Sequence, residues 1–206
     1  MLENFKKAIF RALCLYCVLI GGGGLMAEPN PEELFNLGVE SNKAKDYIKA
    51  KKYFEKACNL NYGGGCFSLG ILYTNKDFGE KNYKKALALW TKACELNSGV
   101  GCASLGVVYE NGYGVKKDLK KAFTLYAKAC GLKEGGGCSS LGRMQYGGVG
   151  VVRNEKQAMK NFKKGCKLGS KTACWMLAME GLRKHCKLGS EKACDMFYDK
   201  KKALGF

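Results

Sequence analysis

Histidine is almost absent from this 206-residue chain, His185 being the only one. A zinc enzyme needs several His or carboxylate ligands around an open coordination position, and general-base catalysis most often relies on a histidine. His185 stands beside Cys186 with no partner evident and reads as a partly exposed structural residue. Long apolar runs are missing too. The stretch from Ala12 to Ile20 is too short and too badly flanked for a spanning helix. Acidic residues are scarce, 18 against 35 Lys and Arg, for a net charge of +17. Such a balance first raises nucleic acid. The lysines, however, are scattered along the whole chain (Lys51-Lys52, Lys84-Lys85, Lys120-Lys121, Lys163-Lys164) and read as solvated outer faces of helices.

The N-terminus sets the compartment. Lys6, Lys7 and Arg11 precede the apolar run, and glycines 21–24 and Leu25-Met26-Ala27 follow it. This is the pattern of a secretory signal peptide over residues 1–27. Cys14 and Cys17 fall inside it, without a small-residue lipobox for a lipid anchor. Cleavage after Ala27 takes the net charge from +17 to +15 and leaves ten of the 12 cysteines, an even number. A secreted chain, or alternatively a periplasmic one, is expected, where disulfides persist. Nucleic acid is then no natural partner; anionic cell-surface glycans, acidic peptides or host surface proteins fit better.

What is abundant is cysteine, and it is periodic. Cys58 and Cys66, Cys94 and Cys102, Cys130 and Cys138, Cys166 and Cys174, and Cys186 and Cys194 are each separated by seven residues. The first four pairs start at 58, 94, 130 and 166, a fixed step of 36. That period marks a solenoid of helix pairs, in which a recurring cysteine belongs to the architecture. Ten cysteines allow on the order of a thousand pairings, but each pair straddles the same turn, such as Asn61-Tyr62-Gly63-Gly64-Gly65. Glycine there is expected to end one helix and reverse the chain, bringing the flanking cysteines within disulfide reach. Local bonds follow. Zinc is disfavoured, since its ligand cysteines are usually two to four residues apart.

Aligned, the units share one plan. Twelve residues before each pair stand Asp46, Asn82, Asp118 and Asn154, all good N-caps. The first helix carries Ala50, Ala86, Ala122 and Ala158, then Phe54, Trp90, Tyr126 and Phe162 four residues on, a core stripe. A second helix is expected from Cys66, Cys102, Cys138 and Cys174, carrying Leu69, Leu105, Leu141 and Leu177, each followed by Gly70, Gly106, Gly142 or Ala178. Glycine inside a helix costs about 1 kcal/mol against Ala, so its recurrence implies a neighbour packed too close for a Cβ. The array reads as one domain over 28–206, with units 33–62, 63–98, 99–134, 135–170 and a truncated 171–190, and a cap over 191–206. In the fifth unit Cys186 follows Ala178 by eight residues where Cys166 follows Gly142 by 24, a deletion of 16. The segment after Cys194 is expected to start another first helix with no partner.

The run from Cys102 through Leu105-Gly106, Tyr109, Asn111-Gly112, Gly114-Val115, Asp118, Lys121-Ala122, Tyr126 and Lys128-Ala129-Cys130 resembles a Sel1-like repeat, a relative of the tetratricopeptide repeat. With a paired-cysteine motif in each unit and a signal peptide, the chain is similar to the Helicobacter cysteine-rich proteins over about 33–195. The resemblance implies an all-α, right-handed α/α superhelix with one disulfide per helix pair. It also implies secretion, penicillin binding and a candidate β-lactamase activity. From the residues themselves, no cofactor and no metal are expected. The residues give hydrolysis no support. A serine β-lactamase uses S-x-x-K with S-D-N and K-T-G elements. Ser68, Ser104 and Ser140 are followed three residues later by Ile71, Val107 and Arg143, and Lys171-Thr172-Ala173 is not K-T-G.

Binding has more support. In the second helix, positions two and nine after the cysteine fall on one face: Ser68 with Asn75 and Ser104 with Asn111, continued by Ser140 and Arg143. Stacked, they form a polar ladder expected on the concave side, where solenoids take their ligands. Small serines that serve packing and asparagines that cap helices would give the same pattern. The expected function is a monomeric module that binds a peptide, glycan or β-lactam-like ligand in that groove. The alternatives are a slow β-lactamase and a purely protein–protein interaction module acting on host surfaces.

Overall fold

A computed structural model describes residues 29–202 of the chain. The signal-peptide reading, with Cys14, Cys17 and the Ala27 cleavage point, lies outside the described residues. Among the described residues the structure is helical, with no strand. In chain order the helices are α1 (Pro31–Lys43), α2 (Tyr47–Asn59), α3 (Gly63–Leu72), α4 (Tyr83–Glu95) and α5 (Gly99–Asn111). Then follow α6 (Leu119–Gly131), α7 (Gly135–Gly147), α8 (Glu155–Lys167), α9 (Lys171–Lys187) and α10 (Glu191–Lys202).

The even-numbered helices up to α8 start where the caps predict. The side chains of Asp46, Asn82, Asp118 and Asn154 accept the backbone N–H of Lys49, Lys85, Lys121 and Gln157. Their aromatic positions are buried, Tyr126 and Phe162 almost completely. Each ring packs directly against a glycine of the preceding helix. A Cβ on Gly38, Gly70, Gly106 or Gly142 would come within 2.4–2.8 Å of Phe54, Trp90, Tyr126 or Phe162. A ring seated on a bare helix backbone therefore joins the two helices of each of the first four units, and helix propensity is given up for that contact.

The turn into the odd-numbered helices differs from the expectation. These helices begin three residues before the cysteine, at Gly63, Gly99, Gly135 and Lys171. The left-handed backbone of the reversal falls on Asn61, Asn97 and Lys133, with φ of 61°, 58° and 63°, and on glycine only at Gly169 and Gly189. The glycines 63–65, 99 with 101, and 135–137 are first-turn helix residues, and most of them are kept bare by proximity. A Cβ on Gly65, Gly101 or Gly137 would meet the Cβ of Ala57, Ala93 or Ala129 at 2.5–2.7 Å. This closeness brings the cysteine Cα atoms to 4.4–4.6 Å, and all five pairs are bonded: Cys58–Cys66, Cys94–Cys102, Cys130–Cys138, Cys166–Cys174 and Cys186–Cys194. The ring-on-glycine contact holds a unit together, and the disulfide ties that unit to the next.

The loops return the chain with one repeated bond. The N–H of Asn82, Asp118 and Asn154 each donates to the carbonyl of Tyr73, Tyr109 and Gln145 at 2.8 Å. Helices α1, α3, α5, α7 and α9 each pack on the next of their own row, while no comparable contact joins α2, α4, α6 and α8 to one another. A stack with one row in contact and the other fanned apart curves toward the row in contact. The odd-numbered helices therefore form the inner face.

The C-terminus corrects a second expectation. The loop and cap missing from the fifth unit leave α9 as one uninterrupted helix of 17 residues that carries both Cys174 and Cys186. Without a turn residue between them, its two halves cannot fold back on each other. Helix α10 does have a partner: it packs on α9 and is bonded to it through Cys194.

Candidate functional site on the inner face

The structure brings only some of the ladder together. Ser68 and Asn75 line one cleft of about 730 Å³ between α1 and α3, with Asn42, Lys43, Val39 and Ile71. Ile71 is 45% exposed there, so the cleft pairs an apolar floor with amide and ammonium groups. Asn75 is not on the helix, because α3 ends at Leu72. It stands in the following turn, where its Oδ1 accepts the Asp77 N–H, leaving its amide Nδ2 to donate. Ser104 is half-buried on α5. Asn111 ends α5 and donates from Nδ2 to the Val107 carbonyl at 2.9 Å, which is a capping role.

Ser140 and Arg143 belong to a different arrangement. The Tyr126 hydroxyl donates to Glu110 at 2.7 Å, and Arg143 Nη2 lies 2.7 Å from both Glu110 oxygens. Ser140 is half-buried on α7, one turn before Arg143. Burial pushes the Glu110 carboxyl up. The hydrogen bonds from Arg143 and Tyr126, with the charges of Arg143 and Lys117, outweigh it and hold the group below the usual carboxylate value. Burial, then Glu110, drives the Tyr126 phenol well above its ordinary value. Arg143 is thus engaged by the protein's own carboxylate instead of standing open to one from a ligand.

A second charged cluster lies at α9. Glu180 is buried in the register that Leu72, Val108 and Met144 fill in the earlier units. Arg183 donates to it from Nε at 2.7 Å and Nη2 at 2.8 Å, and Tyr146 from its hydroxyl at 3.4 Å. The Arg183 hydrogen bond holds the Glu180 carboxyl below its ordinary value against the opposing effect of burial. Arg183 also reaches Glu155 at 3.6 Å, and Arg153 pairs with the same Glu155. Glu110, Glu180 and Arg183 were not among the expected site residues. For Glu180 the legible signal was a charge standing where other units carry Leu72, Val108 and Met144; Glu110 and Arg183 align with polar, aromatic or glycine positions and gave no such signal.

Serine-based hydrolysis finds no activated hydroxyl among the described residues. No serine hydroxyl of the described residues is hydrogen-bonded to a lysine, histidine or carboxylate. Activating a serine requires such a base within reach. His185 is exposed in the last turn of α9. No group of His, Cys, Asp and Glu among the described residues is arranged to hold a metal ion.

The fold defines a disulfide-stapled solenoid of antiparallel helix pairs. The Sel1 repeat family matches residues 34–62, 64–98, 99–133 and 137–170, the four helix pairs from α1–α2 to α7–α8, and the chain belongs to that family. HcpC of Helicobacter pylori (strain ATCC 700392 / 26695) is 59% identical over 73 residues, covering 35% of this chain and 24% of HcpC. Beta-lactamase HcpA of strain J99 is 49% identical over 73 residues, 35% of this chain and 28% of HcpA. The matched segment thus spans about a quarter of the length of these curated relatives. Among solved structures, Helicobacter pylori cysteine rich protein B is 51% identical with a TM-score of 0.54, covering 65% of this chain and 96% of that one. A Sel1 repeat protein from Oxalobacter formigenes, 20% identical with a TM-score of 0.69 over 92% of this chain and 86% of its own, shares the fold.

Proposed function

We propose that this chain is an extracytoplasmic binding module whose inner face takes a peptide or a peptide-like cell-wall or β-lactam ligand between α1 and α3. The observation that carries the reading is the cleft in which Ser68, Asn75, Asn42 and Lys43 surround the exposed Ile71. An amide ligand needs donors and acceptors beside an apolar floor, and asparagine supplies both. Lys43 is bonded to Glu40 at 2.8 Å on the exposed rim, a pair that a ligand carboxylate can exchange at little cost. Five disulfides support an oxidising compartment. No helix of the described residues is long and apolar enough to cross a membrane.

The test is binding of a muropeptide and of benzylpenicillin by calorimetry. Asn75→Leu, and separately Lys43→Glu, should each weaken binding roughly 5- to 150-fold, the equivalent of about 1–3 kcal/mol per contact. Asn111→Leu should change little, since that amide is spent on its own helix. Unaltered affinity in both cleft variants would refute the site. A second reading, β-lactam hydrolysis, rests on the name of the relative HcpA. It requires a covalent adduct, so an acylated serine seen by mass spectrometry after penicillin exposure would favour it. Reversible binding without an adduct supports the module.

A further inference from the structure

Position for position, the α8–α9 groove departs from the α6–α7 groove. At α6–α7, Leu119 and Phe123 pack with Val149 of the following loop against a core that includes Met144. The α8–α9 groove has no such loop, because α9 runs on unbroken. The matching positions carry Glu155 for Leu119, Met159 for Phe123, Lys160 for Thr124, Lys163 for Ala127, Glu180 for Met144, and Arg183 and Lys184 for Gly147 and Gly148. Where the α6–α7 groove is filled by apolar packing, α8 and α9 leave an open cleft of about 460 Å³ between them.

The charges in this cleft are sorted. Both carboxylates are neutralised by guanidinium groups, Glu180 by Arg183 and Glu155 by Arg183 and Arg153. Lys184 approaches Glu180 only at 3.9 Å. Lys156, Lys160 and Lys163 are exposed on α8 and make no ion pair among the described residues. They recur at i, i+4 and i+7, along one face of the helix. A concave surface thus presents three ammonium groups with no ion-pair partner among the described residues, with the loosely paired Lys184 beside them.

We infer that the α8–α9 cleft binds a sulfated oligosaccharide. The guanidinium fork that would clasp a phosphate or carboxylate in two-point fashion is already occupied, which leaves ammonium groups acting as point charges. Such groups match anionic substituents set densely along a flexible sugar chain. No aromatic ring lines the cleft, so it offers no stacking platform for nucleic-acid bases. Met159 is its one apolar wall, which leaves an acidic peptide nothing to anchor its side chains. This surface lies apart from the α1–α3 cleft, and the two sites stand or fall separately.

The experiment uses the oxidised protein and a heparin-derived hexasaccharide, titrated by calorimetry at physiological ionic strength. Lys160→Glu with Lys163→Glu should weaken binding by about 30-fold or more, two contacts at the usual strength of a lysine beside an anionic surface. Lys52→Glu with Lys56→Glu on α2 changes the net charge by the same amount and should cost less than about threefold. All four lysines are exposed, so neither pair disturbs the core, and Asn75→Leu should leave the hexasaccharide affinity unchanged. Equal losses in the two double variants would reduce the effect to net charge and overturn the site. So would equal affinity for the desulfated hexasaccharide, or for an acidic peptide or DNA duplex of matched charge.

Discussion

Replacing Gly106 by Ala sets two physical effects of opposite sign against each other. In an unconstrained helix the change gains about 1 kcal/mol. Here the new Cβ would lie 2.7 Å from Tyr126 Cε1, 2.8 Å from Cδ1 and 3.1 Å from Cζ. The Tyr126 ring cannot simply swing away, because it is buried and its hydroxyl is held by Glu110 at 2.7 Å. Overpacking a core costs about 1–3 kcal/mol, and giving up a hydrogen bond to a charged group about 1.5–3 kcal/mol more. After the helix gain, a net loss of about 2–4 kcal/mol is expected, a fall in Tm of roughly 5–15 °C for a chain of this size. Thermal unfolding of the oxidised protein reads this directly. Gly181→Ala is the control, a helical glycine whose Cβ would meet nothing within 4 Å, and it should stabilise by up to about 1 kcal/mol. In a Tyr126→Phe background the penalty at Gly106 should shrink, since the ring is no longer tethered. If Gly106→Ala stabilises the protein as Gly181→Ala does, the ring-on-glycine contact does not hold the units together.

Graded reduction should open Cys186–Cys194 before the central bonds, because Cys66, Cys102 and Cys138 are fully buried whereas Cys186 and Cys194 are partly exposed; differential alkylation read by mass spectrometry gives the order. Changing Cys94 and Cys102 together to Ala should cost about 2–3 kcal/mol and leave a folded array, since rings and neighbouring staples remain. Full reduction removes on the order of 10 kcal/mol as an upper limit, comparable to a whole domain's net stability, so circular dichroism should show the array melted or marginal at body temperature. Glu110 and Glu180 are both held below the ordinary value of 4.5, so their contribution is complete above that pH and is lost as pH falls below it. The Tm of the native chain should therefore drop below about pH 4.5, and the drop should be shallower in Glu110→Gln and Glu180→Gln.

The readable parts of the sequence were those fixed by local chemistry repeated at a constant step. N-caps, buried rings and helical glycines each depend on a few neighbouring residues, and the 36-residue period shows them four times over. Glycine misled at the turns, because a bare backbone serves both left-handed φ and close approach. The sequence pattern does not say which is used, and the structure assigns the reversal to Asn61, Asn97 and Lys133. The ladder failed for another reason. That Asn75 leaves the helix while Asn111 ends one depends on how each loop is held. That Arg143 is met by Glu110, 33 residues away, depends on the rotation between units, which no single unit encodes.

Periodicity therefore separates two kinds of residue in this protein. Positions that keep their identity from unit to unit are explained by packing, as the cysteines, the rings and their glycines are, and need no ligand. Charges that break the register are not explained that way, because each displaces an apolar or small side chain that the fold accepts elsewhere. Glu180 in a core register costs burial of a carboxylate that Leu72, Val108 and Met144 avoid. Arg183 repays part of that cost but leaves Lys156, Lys160 and Lys163 without an ion-pair partner among the described residues. Such a position gains nothing for stability over the aliphatic side chain it replaces. The places where the repeat stops repeating are accordingly where binding chemistry is to be sought, and the α8–α9 cleft holds more of them than any other groove described above.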